Sequence, residues 1–402
     1  MRRGLAFAAC VGMVLAAGCQ ATGMRPAAVP SLITETRWQM VDLPQMPQGT
    51  RKAVYDSSRD CIWIVSQVPP QVAGAQEYVT ITRLDASKRA VTQTGIQLHA
   101  TQFYIGRIAL DSDYTLWMAW DRTLLHYDPS TNSVESVALP SFASLGVHPS
   151  LYSGEGNFTA LTVDSTGEVW AAADKVAALF GFNPTARKWD RVIHLPWFPS
   201  DFTTLAQPRP GLLTLNGYRT PNDKAYFDMF ARIDLTTGLV TTIQQQVSDY
   251  FLISDHEALF LDQNRSSLFK LDIDTGASAL VSAHAPIDAL NGRAQFAISR
   301  DGHVWFGMVG FRTFGLGVLD LSSTAIDTFP FPYIDQPGTP LPNDCPTTAV
   351  MCVPSNAIGI ADIEGVFVDA HQNVWVVTDW PSIKDRNNRR PMTPVIELKA
   401  ES

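Results

Sequence analysis

The chain has 402 residues, with 30 Lys and Arg against 39 Asp and Glu and a formal net charge of −9 at pH 7. That acidic balance excludes the basic surface that a nucleic-acid partner requires. Length alone permits two domains, so internal repetition has to decide the organisation.

In chain order, Arg2-Arg3 precedes an apolar run from Leu5 to Leu15 that is too short to span a membrane as a mature helix. Residues 1–18 therefore read as a cleaved leader. Its end, Leu15-Ala16-Ala17-Gly18-Cys19, resembles the lipobox of bacterial lipoproteins, with the Leu displaced by one place. The resemblance implies a lipid on Cys19 that holds the protein to a membrane, and Gln20 in place of Asp implies the periplasmic leaflet of the outer membrane. An ordinary secretory signal is the alternative, and it would leave Cys19 as a free thiol on a soluble protein. Residues 19–36, with Gly23, Pro26 and Pro30, form the anchor and a flexible linker in this reading.

Residues 37–402 repeat. From Leu161 to Pro196 the order is apolar strand, Asp-turn-Gly, Trp-bearing strand, third strand, Asn-Pro turn and a fourth strand ending Leu-Pro. The same order runs from Ile108 to Pro140 and from Phe296 to Pro332. A second-strand anchor recurs at Trp63, Trp117, Trp170, Leu213, Phe260, Trp305 and Trp375. Third strands end independently at Asp85, Asp128, Asn183, Asp234, Asp272, Asp320 and Glu397. Both series count seven, which predicts an all-β, seven-bladed β-propeller of four-stranded antiparallel blades. Each anchor is expected to pack between adjacent blades. The seventh unit lacks a fourth strand, and Arg37 to Pro44 resembles Lys188 to Pro196 closely enough to supply it. The N-terminal strand should thus close the last blade and cover its edge.

Strand alternation places the connections from strand two to three, and from blade to blade, on one face. Insertions fall there, between strands two and three of units one, four and seven, and at Ser141 to Phe158 and Tyr333 to Asp362. The other face has tight turns such as Ser165-Thr166-Gly167 and Thr236-Thr237-Gly238. A rigid scaffold with long loops on one side recognises something there. Tyr152, Phe158, Trp197, Phe198, Tyr218, Phe311, Tyr333 and Trp380 are the aromatic candidates for that surface. Cys345 and Cys352 lie in a Pro-rich loop without further Cys or His nearby, which favours a loop-stapling disulfide over a metal pair. Cys61, two residues before Trp63, reads as a buried thiol.

The strings Arg300-Asp301-Gly302-His303-Val304-Trp305-Phe306 and Asp369-Ala370-His371-Gln372-Asn373-Val374-Trp375 resemble the streptogramin lyase-like and NHL-type propellers. The likeness implies the fold over essentially the whole mature chain. The lyases of that family place a Glu just after the anchor pair and a catalytic His before a first strand, with a bound magnesium ion. Here the matching positions hold Ser66, Trp120, Ala173, Met308 and Thr378. A second resemblance, of Glu364-Gly365-Val366-Phe367-Val368-Asp369 to metal-dependent lactonase propellers, implies a calcium or magnesium ion in the central channel. Glu364, Asn216 and Asp262 would then be its ligands, and Asp174 or Asp379 the base. Two functions follow as expectations. The favoured one is an anchored monomer that binds a protein, peptide or glycan of the cell envelope through its long loops. The other is a metal-dependent lactonase or lyase. No Gly-x-Ser-x-Gly elbow and no His-Glu-x-x-His helix is present.

Overall fold

The computed structural model describes residues 31–32, 38–41, 51–68, 78–97, 105–147, 156–174, 176–199, 203–219, 227–245, 247–262, 267–283, 296–309, 314–330, 362–379 and 395–400. Two short strands, β1 (Ser31–Leu32) and β2 (Trp38–Met40), come first. Blade one is β3 (Arg51–Asp56), β4 (Cys61–Val68), β5 (Tyr78–Asp85) and β6 (Ala90–Gln97); blade two is β7 (Ile105–Leu110), β8 (Leu116–Trp120), β9 (Thr123–Asp128) and β10 (Ser133–Ala138). Blade three is β11 (Phe158–Val163), β12 (Val169–Ala173), β13 (Ala178–Asn183) and β14 (Lys188–His194). Blade four is β15 (Leu205–Arg209), β16 (Leu212–Arg219), β17 (Phe227–Asp234) and β18 (Val240–Gln245); blade five is β19 (Val247–Leu252), β20 (Glu257–Asp262), β21 (Leu268–Asp272) and β22 (Ser278–Ser282). Blade six is β23 (Phe296–Ile298), β24 (His303–Val309), β25 (Phe314–Asp320) and β26 (Ile326–Pro330). Blade seven has β27 (Asp362–Val368), β28 (Val374–Asp379) and β29 (Val395–Leu398), and β2 is its fourth strand.

Seven sheets therefore make the ring, each antiparallel within its blade. β2 pairs with β29 through Trp38 with Leu398, Gln39 with Glu397 and Met40 with Ile396. Just beyond it, the Val41 amide donates to the Val395 carbonyl at 3.2 Å, and its side chain enters the cluster of Ile62, Ile64, Trp375 and Val377 between blades seven and one. The N-terminus thus closes the ring where the sequence places it. One element corrects the linker reading. Ser31 and Leu32 form β1, a parallel fifth strand on the outer edge of blade six, opposite Asp327 and Thr328. A two-residue Ser-Leu strand carries no period of its own, so only its pairing partner identifies it.

The core is divided among the seams between blades. Trp63 lies with Leu116 and Met118 of the next blade, and Trp117 with Phe180 and Phe182 of the one after. Trp170 meets Leu213 and Leu215, and Phe260 shares a cluster with Phe230. The anchor's polar atom explains why Trp recurs there. Trp170 Nε1 donates to Asp164 at 2.9 Å, Trp375 Nε1 to Asp369 at 2.8 Å and Trp117 Nε1 to Asp111 at 3.3 Å. Each Asp opens the turn between first and second strands and sits six residues before its Trp. The second oxygen of Asp164 takes the Thr166 and Glu168 amides at 2.8 and 3.1 Å. Asp164→Ala strands the buried Trp170 indole donor and releases the turn amides, and we expect a loss of about 1–3 kcal/mol in chemical denaturation, with Asp164→Asn recovering part of it.

The turns between third and fourth strands use the same chemistry. Asp128 accepts from the Ser130 amide and hydroxyl at 2.8 and 2.7 Å, which holds its carboxyl down at about 2. Asp234 and Asp272 are lowered by the amides of Thr237 and Thr275. Cys61 is a buried free thiol, and burial pushes it up.

Candidate functional site at the long-loop mouth of the channel

Connection lengths separate the two ends of the ring. At one end every connection is short, none exceeding the five residues of stretches such as 111–115 or 369–373. At the other end the strands are joined by residues 69–77, 139–157, 220–226, 331–361 and 380–394. The short-turn end is also tied across its seams. Arg59 lies over the Tyr114 ring, the Ser165 amide donates to Gln207 at 2.7 Å, Arg209 pairs with Asp274, and the Ala370 amide donates to Asp60 at 3.1 Å. Its polar groups hold blades together.

First strands line the channel of a propeller. Four of them carry a register break at their leading end, which faces the long loops. β7 shifts between Ile105 and Ile108, β11 between Phe158 and Ala160, β19 between Val247 and Asp249, and β27 between Ile363 and Gly365. Such bulges re-aim one side chain at the rim of a closed sheet. The residues set in the breaks include Arg107, Thr159 and Glu364.

Around that mouth the polar groups bridge blade to blade. Lys52 Nζ of β3 sits 2.6 Å from Glu364 Oε2 of β27, with side chains only 5% and 9% exposed. Arg107 donates from Nε to the Thr159 carbonyl at 3.3 Å and from Nη2 to the Thr203 carbonyl at 3.2 Å, so one guanidinium spans blades two, three and four. Thr204 donates its hydroxyl to buried Asp249 of blade five at 3.1 Å, while its amide is taken by Asn216. Burial raises the Asp121 carboxyl nearby, whose backbone carbonyl accepts the Phe158 amide at 2.6 Å.

Several of the residues expected at a cation have a protein partner at the mouth. Glu364 faces an ammonium, and its attraction to Lys52 opposes a second cation on the same oxygen. Asn216 Oδ1 is turned to the Thr204 amide, Asp174 Oδ1 accepts the Asn157 amide at 2.5 Å, and Asp262 Oδ1 accepts the Ser267 amide at 3.1 Å. Each serves its own connection. Gly156 is required beside Asp174, because a Cβ there would lie 1.9 Å from the Asp174 carbonyl oxygen. Asp379 ends β28 opposite Asp362. Among the described residues no three His, Cys, Asp or Glu side chains gather as a metal site. Melting of the purified protein in calcium, magnesium and chelator tests the cation reading, since an ion bound only by the folded state raises its stability: a chelator-sensitive melt is the outcome expected of a channel cation, and an unchanged melt the outcome expected if Glu364 serves only its ion pair.

Two aromatic candidates are corrected as well. Phe158 is 1% exposed and stacks on Trp189, and Trp197 is 2% exposed against Met229 and Ala231. Both fill seams and present no ring to a partner. Tyr218 belongs to β16, whereas Tyr152, Phe311, Tyr333, Trp380 and the Cys345 and Cys352 pair lie outside the described residues, as does Cys19. Ser66, Trp120, Ala173 and Thr378, at the positions where a lyase places its Glu, are all buried. Sequence reading passed over Lys52, Arg107 and Asp249. For Arg107 and Asp249 the signal was a single charge within an otherwise uncharged first strand, as in Ile105-Gly106-Arg107-Ile108, whereas Lys52 is one of three charges in Arg51–Asp56.

The sequence matches no protein-family profile and no curated protein. The fold is similar to virginiamycin B lyase from Staphylococcus aureus, with a TM-score of 0.57 and 13% identity over 90% of this chain and 97% of that one. A catalytically inactive histidine-to-alanine variant of that lyase, crystallised with quinupristin, aligns at a TM-score of 0.53 and 12% identity over 88% of this chain and 99% of that one. The extracellular domain of a hybrid two component system from B. thetaiotaomicron gives 0.54 and 11% identity over 90% of this chain and 41% of that one. These likenesses show the seven-bladed fold.

Proposed function

We propose that this chain is an envelope lipoprotein, anchored through Cys19 at the periplasmic leaflet of the outer membrane, whose propeller recognises a protein, peptide or glycan with its long-loop end. The contrast between the two ends carries this reading. Short turns at one end are spent on blade-to-blade bonds, while long connections leave from the other, around a mouth bridged by Lys52, Glu364, Arg107 and Asp249. A scaffold of this kind positions loops for binding without requiring a reactive group. The lipobox-like Leu15 to Cys19 supports the anchor.

Replacing residues 334–358 and 381–392 by Gly-Ser segments of equal length should abolish cross-linked partner recovery from envelopes. Stability should change by less than about 1 kcal/mol, because loop closure depends weakly on composition at fixed length. Undiminished recovery with both replacements in place would contradict the reading.

A further inference from the structure

The chain ahead of β1 approaches blade six from the short-turn end, because β1 runs parallel to β26 and β26 leads from the short turns toward the long loops. β1 sits beside the first half of β26, with Ser31 opposite Asp327. A tether that ends at Ser31 leaves residues 20–30 between Cys19 and the ring. As a coil that stretch spans roughly 15–20 Å. It is attached at the outer edge of one blade, away from the channel axis, so it pulls on one side of the ring.

The exposed large apolar side chains all belong to blade six and the two blades before it. Among the described residues the exposed large hydrophobics are Leu239, Leu280 and Ile298, at 63%, 56% and 40%. Leu239 ends the short turn from β17 to β18 in blade four, Leu280 is central in the edge strand β22 of blade five, and Ile298 closes β23 at the short-turn end of blade six. The described residues of blades one, two, three and seven include none.

We propose that the outer wall and short-turn rim of blades four to six rest on the lipid surface to which the chain is anchored, with Leu239 and Leu280 at the interface and the long loops tilted outward. This rests on the lipoprotein reading for the anchor itself. Leucines at the headgroup boundary gain from burial of apolar area, and a short tether keeps them at high local concentration.

The test separates the surface from the anchor. The mature chain with Cys345→Ser and Cys352→Ser is coupled through the Cys19 thiol to a maleimide lipid in phosphatidylethanolamine–phosphatidylglycerol vesicles. An environment-sensitive fluorescent amino acid is placed in turn at Leu239, at Leu280, at Thr131 in the short turn of blade two, and at Ala143 on the long-loop side. Quenching by brominated lipid is expected to be at least about twofold greater at Leu239 and Leu280 than at Thr131, and lowest at Ala143, as interfacial insertion of one rim requires. Equal quenching at Leu280 and Thr131, or the strongest at Ala143, overturns the proposal. Because the lipid is attached chemically, that outcome is independent of native acylation, which is read separately from membrane retention of Cys19→Ser in cells.

Discussion

Deleting residues 31–43 will destabilise the whole ring, lowering the free energy of unfolding by at least about 3 kcal/mol in guanidinium titration, from the buried side chain and ladder bonds removed together. The deletion removes the fourth strand of blade seven, with its pairing of Trp38, Gln39 and Met40 to β29. It also withdraws Val41 from the seam that holds Ile62, Ile64 and Trp375. β29 then becomes an open edge, so the truncated protein should also self-associate. Val41→Ala alone is expected to cost about 1–2 kcal/mol, as the transfer term for a buried valine. An unchanged midpoint for the deletion would mean that the ring closes without its N-terminal strand.

Glu364→Gln will cost about 3 kcal/mol, because it removes the carboxylate charge held 2.6 Å from the buried Lys52 ammonium. Lys52→Met should cost a similar amount for the mirror reason. The double variant Lys52→Met, Glu364→Leu is expected to regain most of the loss, since two buried charges are replaced together by apolar groups of similar size. The same set decides what Glu364 is for. If it were a cation ligand, Lys52→Met would remove a competing positive charge and create calcium-dependent stability; an unchanged calcium response would assign Glu364 to the ion pair. Single variants that cost under about 1 kcal/mol would show the pair to be well solvated instead.

Where local chemistry repeats, the sequence is a sufficient guide. Asp85, Asp128, Asp234, Asp272 and Asp320 each end a third strand because an Asp there accepts the amides of its own turn, and that need recurs in blade after blade. The Trp anchors were legible for the same reason, and the indole bond to an Asp six residues earlier explains a pattern that apolar periodicity only marked. The pairing of Trp38 with Leu398 could be read because a missing fourth strand had one matching segment to fill it.

What escaped notice depends on pairs distant in the chain. Lys52 and Glu364 are separated by 312 positions, and nothing in either string announces the other. The bulge at Ile363–Gly365 sets Glu364 beside Lys52, and a bulge leaves no signature in residue type. Phe158 and Trp197 illustrate the converse. An aromatic residue next to a long connection suits a partner or a seam equally well, and only the neighbours, Trp189 for one and Met229 for the other, assign it to the seam.

The measurement that bears most directly on the central claim maps partner contact around the two ends in living cells. A photo-cross-linking amino acid placed at Tyr152, Tyr218, Tyr333 and Trp380 reports from the long-loop end, and one at Thr236, Thr275 and Ser322 reports from the short turns. Our account predicts a common adduct from the first group and none from the second. The same adduct from the short-turn positions, with none from the long loops, would contradict it.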